Sequence, residues 1–164
     1  MRDQAMVLLA AKLGLRAKEI AQLSLEDVDW QAGTVCLRQT KGRRCRLLPL
    51  PSDVAQALAG YLRTVRAKTS SRQVFLCLHR PTPLTSGAVS AAAIAAFGRA
   101  GLEVSRPGPH LLRHTLATHL IQRGTDLKAI ADVLGHRSLN TTARYAKVNV
   151  PMLAQIAQPW PEVK

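Results

Sequence analysis

The sequence is poor in aromatic residues and in cysteine, which limits the kind of core and the disulfide network that it can form. Aromatic side chains make up 4% of the 164 residues, so a core must consist mainly of leucine, alanine, valine and isoleucine, which suits packed helices. The three cysteines, Cys36, Cys45 and Cys77, form no CxxC pair. We therefore predict reduced thiols of a cytosolic protein, and no disulfide framework. Internal repeats and low-complexity tracts are also missing.

Long apolar runs are missing as well. The first stretch, MRDQAMVLLAAKLGLR, contains a short apolar run, but Arg2, Asp3 and Lys12 frame it. The pattern predicts an amphipathic helix, and neither a signal peptide nor a membrane span is expected. A chain of 164 residues that is 47% hydrophobic is long enough for one globular domain with its own core.

Negative charge is scarce. The sequence has 23 Lys and Arg against 10 Asp and Glu, a formal net charge of +13. Between Arg38 and Arg80 there are ten basic residues and a single acid, Asp53. This concentrated excess favours a polyanionic partner such as nucleic acid over a merely solubilising surface. A membrane surface is disfavoured because no long helix pairs a basic face with a broad apolar one.

Hydrophobic periodicity predicts a mainly α fold with a small three-stranded antiparallel β-sheet. Two of the strands, TVCLRQ and RCRLLPL, flank the turn TKGR as a hairpin, and RQVFLCL is expected to be the third. Ser52 and Ser138 are expected to cap helices, and Gly14 and Gly101 to end them. Helices are predicted over residues 2–13, 16–25, 52–67, 86–100, 109–122, 126–134, 139–147 and 151–157.

Several residues stand where a side chain can be directed at an anion. His110 and Arg113 are three apart near the start of a helix, so both project to the same side, beside free backbone N–H groups. Arg16 lies at the start of another helix, and Lys41 lies in the hairpin turn next to a glycine. Taken singly, each such residue is more often solvated or structural than functional.

Two further residues complete the set. His136 directly follows Gly135, which is placed to end a helix, and Tyr145 follows nine positions later as one of only two tyrosines. A tyrosine on a helix usually packs in the core. The order Arg, Lys, His-x-x-Arg, His, Tyr changes that interpretation. The six residues can then be considered as one set, and a separate structural role for each is no longer the default.

The order and spacing of four stretches resemble the catalytic domain of tyrosine recombinases, the phage integrase and Xer-type family. The stretches are LGLRAKEI, TKGRRCRLLPL, HLLRHTLATHL and LGHRSLNTTARYAKV, and they occur in family order. The resemblance extends from Met1 to about Val148 and implies the catalytic-domain fold of that family. The last portion looks most like integrases carried by bacterial mobile elements.

The resemblance implies a role for each residue. Arg16 and Arg113 would hold the non-bridging oxygens of the scissile phosphate, and His136 would add a third donor. His110 would accept the tyrosine proton, Lys41 would protonate the departing 5′ oxygen, and Tyr145 would be the nucleophile. Residues expected to bind DNA through its phosphates are Arg38, Lys41, Arg43, Arg44 and Arg46.

These residue types suit strand transfer on double-stranded DNA. Planar, permanently charged guanidiniums can clamp a pentacoordinate phosphorane, and a 3′-phosphotyrosyl link conserves the bond so that another 5′ hydroxyl can reverse it. No metal or other cofactor is expected, because cations already supply the electrostatic stabilisation. The resemblance therefore implies a site-specific DNA recombinase or integrase.

Three alternatives stay open: a type IB topoisomerase, which religates the original strand, a DNA-binding fragment that has lost catalysis, and a helix-turn-helix transcriptional protein. Family members usually carry an N-terminal domain that grips the opposite face of the DNA. We expect residues 1–164 to form a single catalytic domain without that core-binding domain. We also expect a monomer when the chain is free and a tetramer when it is bound to DNA. Residues 149–164 are expected either to fold back on their own domain or to be exchanged between protomers. The expected location is the bacterial cytoplasm, at the nucleoid.

Overall fold

A computed structural model of the chain describes residues 1–38, 45–66 and 68–135. The chain divides into two compact units, residues 1–116 and 117–164. The described elements are α1 (Arg2–Leu13), α2 (Ala17–Gln22), a 3-10 turn (Leu25–Asp27), β1 (Val28–Asp29), β2 (Thr34–Arg38), β3 (Cys45–Pro49), α3 (Ser52–Thr64), α4 (Ser86–Arg99), α5 (Pro109–Gln122) and α6 (Leu127–Leu134). The prediction of a mainly α fold with a three-stranded antiparallel sheet is confirmed.

Helix α1 is central to the core of the first unit. Its buried residues recur at helical spacing, so one stripe packs against both α3 and α4. Met6 and Leu9 are among its fully buried side chains, and burial of each contributes about 1.5–3 kcal/mol. Gly14 ends the helix at φ 63°, a left-handed conformation that glycine adopts without the steric cost of a Cβ atom.

The core is mainly aliphatic, as the composition predicts, with one aromatic pair in it. Tyr61 of α3 stacks on Phe75 with ring centroids 5.4 Å apart. The Tyr61 hydroxyl accepts a hydrogen bond from the backbone N–H of Leu76 at 3.2 Å. Burial raises the pKa of Tyr61, because an ionised phenolate would lose its hydration there.

The sheet has the order β1-β2-β3, with Val28 opposite Val35 and Val35 opposite Leu48. The prediction that residues 72–78 form its third strand is wrong. That segment makes only isolated bridges, including one between Ser24 and Gln73, and the two-residue β1 occupies the free edge of β2 instead. The apolar character of a segment does not by itself decide whether it pairs with β2. Pairing also requires that the chain bring the segment to the free edge of that strand.

The cysteines differ from the prediction of three reduced thiols. Cys36 on β2 and Cys45 on β3 are joined in a disulfide, with their Cα atoms 5.7 Å apart, whereas Cys77 is free. The antiparallel register places Cys36 opposite Leu47, two residues along β3 from Cys45, so the two cysteines lie diagonally across the strand pair. Sequence spacing alone does not reveal such cross-strand proximity.

Two helix ends also differ from the predictions. Helix α3 starts at Ser52, so Pro51 and not Ser52 occupies the N-cap position, and no side chain caps the helix. The φ of Pro51, −59°, already suits entry into a helix. Helix α2 ends at Gln22 rather than at residue 25, because the 3-10 turn follows. The Asp27 carboxylate closes that turn by accepting a hydrogen bond from the backbone N–H of Ser24 at 2.9 Å.

Helices α4 and α5 have the predicted positions within one residue. In α5, Leu112 and Leu116 are only half-buried. The buried position between them is a charged one, Arg113, with 3% of its surface exposed. A charge this deep requires a partner inside the protein, and that partner helps to form the candidate site.

In the second unit, the end of α5 is followed by a turn and by α6. The Asp126 carboxylate caps α6 by accepting from the backbone N–H groups of Lys128 and Ala129 at 2.9 and 3.2 Å. Gly135 ends α6 at φ 61°, as predicted. The helices predicted over residues 139–147 and 151–157, and the tail 149–164, lie outside the described residues.

Within residues 1–38, 45–66 and 68–135, no helix is both long enough and apolar enough to cross a bilayer.

Candidate active site

Arg16 lies between α1 and α2 and is tied to the first turn of α2. Its backbone N–H donates to Glu19 Oε2 at 2.7 Å, and its Nη1 donates to Glu19 Oε1 at 2.9 Å. A glutamate three residues into a helix satisfies a free N–H group and interacts favourably with the helix dipole. The Arg16 side chain is 46% exposed, so its guanidinium is held by one carboxylate and still faces solvent.

Arg113 reaches the same place from 97 residues further along the chain. Its Nη1 donates to the backbone carbonyl of Gly14, two residues before Arg16. This buried contact anchors the guanidinium on the segment that joins α1 to α2. The structure thus brings the two predicted arginines to the two ends of one short loop.

His110 lies in the first turn of α5 and is exposed, unlike Arg113. The two residues share one helical face, as their spacing predicts. The N-terminal end of a helix also carries free N–H groups and a partial positive charge, which favours an anion near His110. The exposed His110 side chain is therefore accessible to a bound anion.

The remaining predicted catalytic residues, Lys41, His136 and Tyr145, lie outside the described residues, as do Arg43 and Arg44.

The two described residues of the predicted DNA-binding set are placed very differently. Arg38 is 71% exposed, and its Nε lies 3.0 Å from Asp27 Oδ1, an ion contact without a hydrogen-bonding angle. The Arg46 side chain is only 8% exposed, and its Nη2 donates to Glu19 Oε2 at 3.2 Å. Burial lowers the pKa of Arg46 from its usual value, although the Glu19 carboxylate opposes that shift. Arg38 faces solvent, and Arg46 does not.

Glu19 is a residue of the site that the sequence analysis missed. It receives hydrogen bonds from both Arg16 and Arg46, so it connects the first arginine to the sheet. The signal was present in the sequence, since a Glu three residues after a helix-start Arg matches both the capping position and the i, i+3 ion-pair spacing.

In the part of the chain that the structure describes, no three His, Cys, Asp or Glu side chains cluster as metal ligands would.

Known proteins that are similar to this chain in sequence carry integrase or recombinase names. The chain is 42% identical over 166 residues to a Sinorhizobium fredii protein named as a candidate integrase/recombinase, y4rF, covering 98% of this chain and 38% of that one. It is 36% identical to the tyrosine recombinase XerA of Thermococcus kodakarensis, covering 93% of this chain and 53% of the relative. The chain therefore spans about half, or less, of the length of these relatives.

Solved structures of recombinases are similar to this chain in fold. The crystal structure of a XerA recombinase superposes with a TM-score of 0.82 at 29% identity, covering 94% of this chain and 56% of that chain. A post-cleavage complex of XerH with a palindromic difH substrate gives 0.81 at 27% identity, covering 97% and 46%. The model of the phage integrase family matches residues 1–151. With both arginine stretches in family order and converging on one loop, the chain belongs to the phage integrase family.

Proposed function

We propose that this chain is the catalytic part of a site-specific DNA recombinase or integrase, which cleaves and rejoins strands through a 3′-phosphotyrosyl intermediate. The observation that carries the proposal is the convergence of Arg16 and Arg113 on the Gly14–Arg16 loop, one half exposed and the other anchored. Two guanidiniums at one place suit the non-bridging oxygens of a phosphodiester. Relatives with Xer recombinase names and a Xer structure bound to DNA support the same assignment.

The proposed reaction divides the work among six side chains. Tyr145 attacks the scissile phosphorus and forms a phosphotyrosyl bond, while the bond to the 5′ oxygen breaks and Lys41 gives that oxygen its proton. His110 takes the proton from the tyrosine hydroxyl. Arg16, Arg113 and His136 stabilise the charge that develops on the non-bridging oxygens. Attack by a 5′ hydroxyl of another strand reverses these steps and completes strand exchange.

Covalent trapping tests the proposal. The full chain is incubated with nicked duplexes that carry the ends of its own genetic element, so that the short 5′ fragment diffuses away after cleavage. We expect a protein–DNA band that survives denaturation and disappears after protease treatment. Relaxation of supercoiled plasmid without exchange between two sites would favour the topoisomerase alternative. Tight binding without any adduct would favour a DNA-binding fragment.

DNA affinity should depend steeply on salt. Each phosphate contact contributes about −0.9 to the slope of log K against log salt, so half a dozen contacts lower affinity about a thousandfold between 50 and 200 mM. Arg38→Gln removes an exposed cation and should reduce the slope by about 0.9. Lys12→Gln removes a surface cation that is likewise ion-paired, with Asp53, but lies outside the predicted DNA-binding set, so this matched control should leave the slope unchanged. A flat salt dependence of the parent chain would show that its charge does not serve DNA.

We further propose that four copies assemble on two DNA sites in the bacterial cytoplasm. The palindromic substrate of the similar XerH complex supports a symmetric arrangement of protomers. The segment PMLAQIA has too few residues to be a stable helix alone and needs a groove to bury its apolar face. Exchange of that segment between protomers would couple cleavage to assembly.

Removing residues 151–164 distinguishes exchange from folding back. If the tail binds a neighbouring protomer, the shortened chain should lose cooperative assembly on paired sites in a gel-shift titration and keep the melting temperature of the parent. If the tail packs on its own domain, the melting temperature should fall and assembly should be affected only through that loss. A shortened chain that matches the parent in both measurements would contradict any role for the tail.

A further inference from the structure

Arg46 is unusual because it places a charge on the buried side of β3. Its neighbours Cys45 and Leu47 are exposed, whereas Leu48 is buried, so Arg46 and Leu48 share the inward face. Removing a guanidinium from water costs several kcal/mol unless the protein supplies a counter-charge. Here the counter-charge is Glu19, at 3.2 Å from Nη2. Among the described residues, the Nε atom of Arg46 has no hydrogen-bond partner, so Glu19 holds the guanidinium through Nη2.

The Glu19 carboxylate serves two arginines at once. Oε2 accepts both from the backbone N–H of Arg16 and from Nη2 of Arg46, while Oε1 accepts from Nη1 of Arg16. A carboxylate held from two sides cannot rotate without breaking one of these bonds. The position of the half-exposed Arg16 guanidinium is therefore coupled to β3 through Glu19.

We propose that Arg46 is a positioning residue, which orients Arg16 through Glu19 and fixes β3 to the start of α2. In the sequence, β3 directly follows the segment 39–44 that contains Lys41. The same contact thus connects the arginine that holds the phosphate with the strand next to the proposed general acid. The catalytic part of this inference rests on the proposed function, and it replaces the expectation that Arg46 contacts DNA.

A phosphate contact would require the inward-facing Arg46 guanidinium to leave the Glu19 carboxylate. Arg38, on the neighbouring strand, is 71% exposed, against 8% for Arg46. A purely structural role also makes a different prediction. Neutral replacements in a buried ion pair can be tolerated or lower stability, so a purely structural Arg46 would affect only folding and leave Arg16 and the cleavage rate unchanged.

Three variants separate these roles. Arg46→Gln removes the charge, Arg46→Lys keeps it, and the double variant Glu19→Gln/Arg46→Gln removes the Arg46–Glu19 pair together with the Arg16–Glu19 pair, as the reference for complete loss of the Glu19 contacts. Lys12→Gln is the matched control, because it also removes one cation and one ion pair, from the surface between α1 and α3. Cleavage is measured as a single turnover at saturating DNA, and DNA affinity is measured separately.

We expect Arg46→Gln and the double variant to slow cleavage by about a hundredfold with little change in Kd, because misplacing a catalytic group by about 1 Å costs that much. Arg46→Lys should recover most of the rate, and Lys12→Gln should match the parent. If Arg46→Gln instead weakens binding, lowers the salt slope by about 0.9 and leaves the saturated rate unchanged, Arg46 contacts phosphate and the inference is overturned.

A second measurement needs no activity. The guanidinium Nε–Hε signal of Arg16, assigned by its loss in Arg16→Gln, should shift or broaden in Arg46→Gln and in the double variant. It should return toward the parent position in Arg46→Lys and stay unchanged in Lys12→Gln. An Arg16 signal identical in the parent and in Arg46→Gln would refute the inference, whatever the double variant shows. If the parent forms no covalent adduct, the proposed function fails while this signal still decides whether Arg46 positions Arg16.

Discussion

Replacing Tyr145 with phenylalanine should abolish the covalent protein–DNA adduct and leave DNA binding close to that of the parent chain. Phenylalanine keeps the ring and removes the hydroxyl, so the phosphorus has no nucleophile and the 3′-phosphotyrosyl bond cannot form. The measurement is a denaturing gel of the trapping reaction on a nicked duplex, together with a gel shift under native conditions.

Tyr61→Phe is the matched control, since Tyr61 is the other tyrosine of the chain. Its side chain is 1% exposed and its hydroxyl accepts from the Leu76 N–H, so it cannot reach a phosphate. This variant should form the adduct at the parent yield. It should lose about 1 kcal/mol of stability or somewhat more, because the buried Leu76 N–H is left without its partner. An adduct that persists in Tyr145→Phe and is lost in Tyr61→Phe would reverse the assignment.

Replacing Lys41 with alanine should slow cleavage of an ordinary phosphodiester by about 10²–10⁴-fold, the usual contribution of a general acid. The same variant should cleave a 5′-bridging phosphorothiolate at close to the parent rate. A thiolate is a much weaker base than an alkoxide, so its departure needs no proton. The measurement is single-turnover cleavage of the two substrates by the parent and the variant.

Lys12→Ala controls for the loss of one ammonium group, because Lys12 is an exposed lysine paired with Asp53 on the surface. It should cleave both substrates at the parent rate. Equal slowing of Lys41→Ala on the two substrates would mean that Lys41 binds DNA and that the proton comes from another group.

The sequence by itself determined the elements whose signals are local. Helix α1 and its end at Gly14 follow from apolar spacing and a glycine that can take a left-handed conformation, and α6 with Gly135 follows in the same way. The strands β2 and β3 follow from their β-type composition on either side of a turn. The order of the recombinase stretches likewise needs no coordinates, and the family match over residues 1–151 agrees with it.

Only the tertiary structure decided which segment completes the sheet and which charges are buried. The two-residue β1 has no periodicity to detect, and the more strand-like residues 72–78 lie elsewhere, because pairing depends on which segment reaches the free edge. Arg38, Arg46 and Arg113 look alike in the sequence. The side chains of Arg38 and Arg46 are 71% and 8% exposed, and the whole Arg113 residue is 3% exposed. The contacts that the fold supplies set these differences. Burial of a charge depends on a partner distant in sequence, here Glu19 for Arg46 and the Gly14 carbonyl for Arg113, and local patterns do not contain that information.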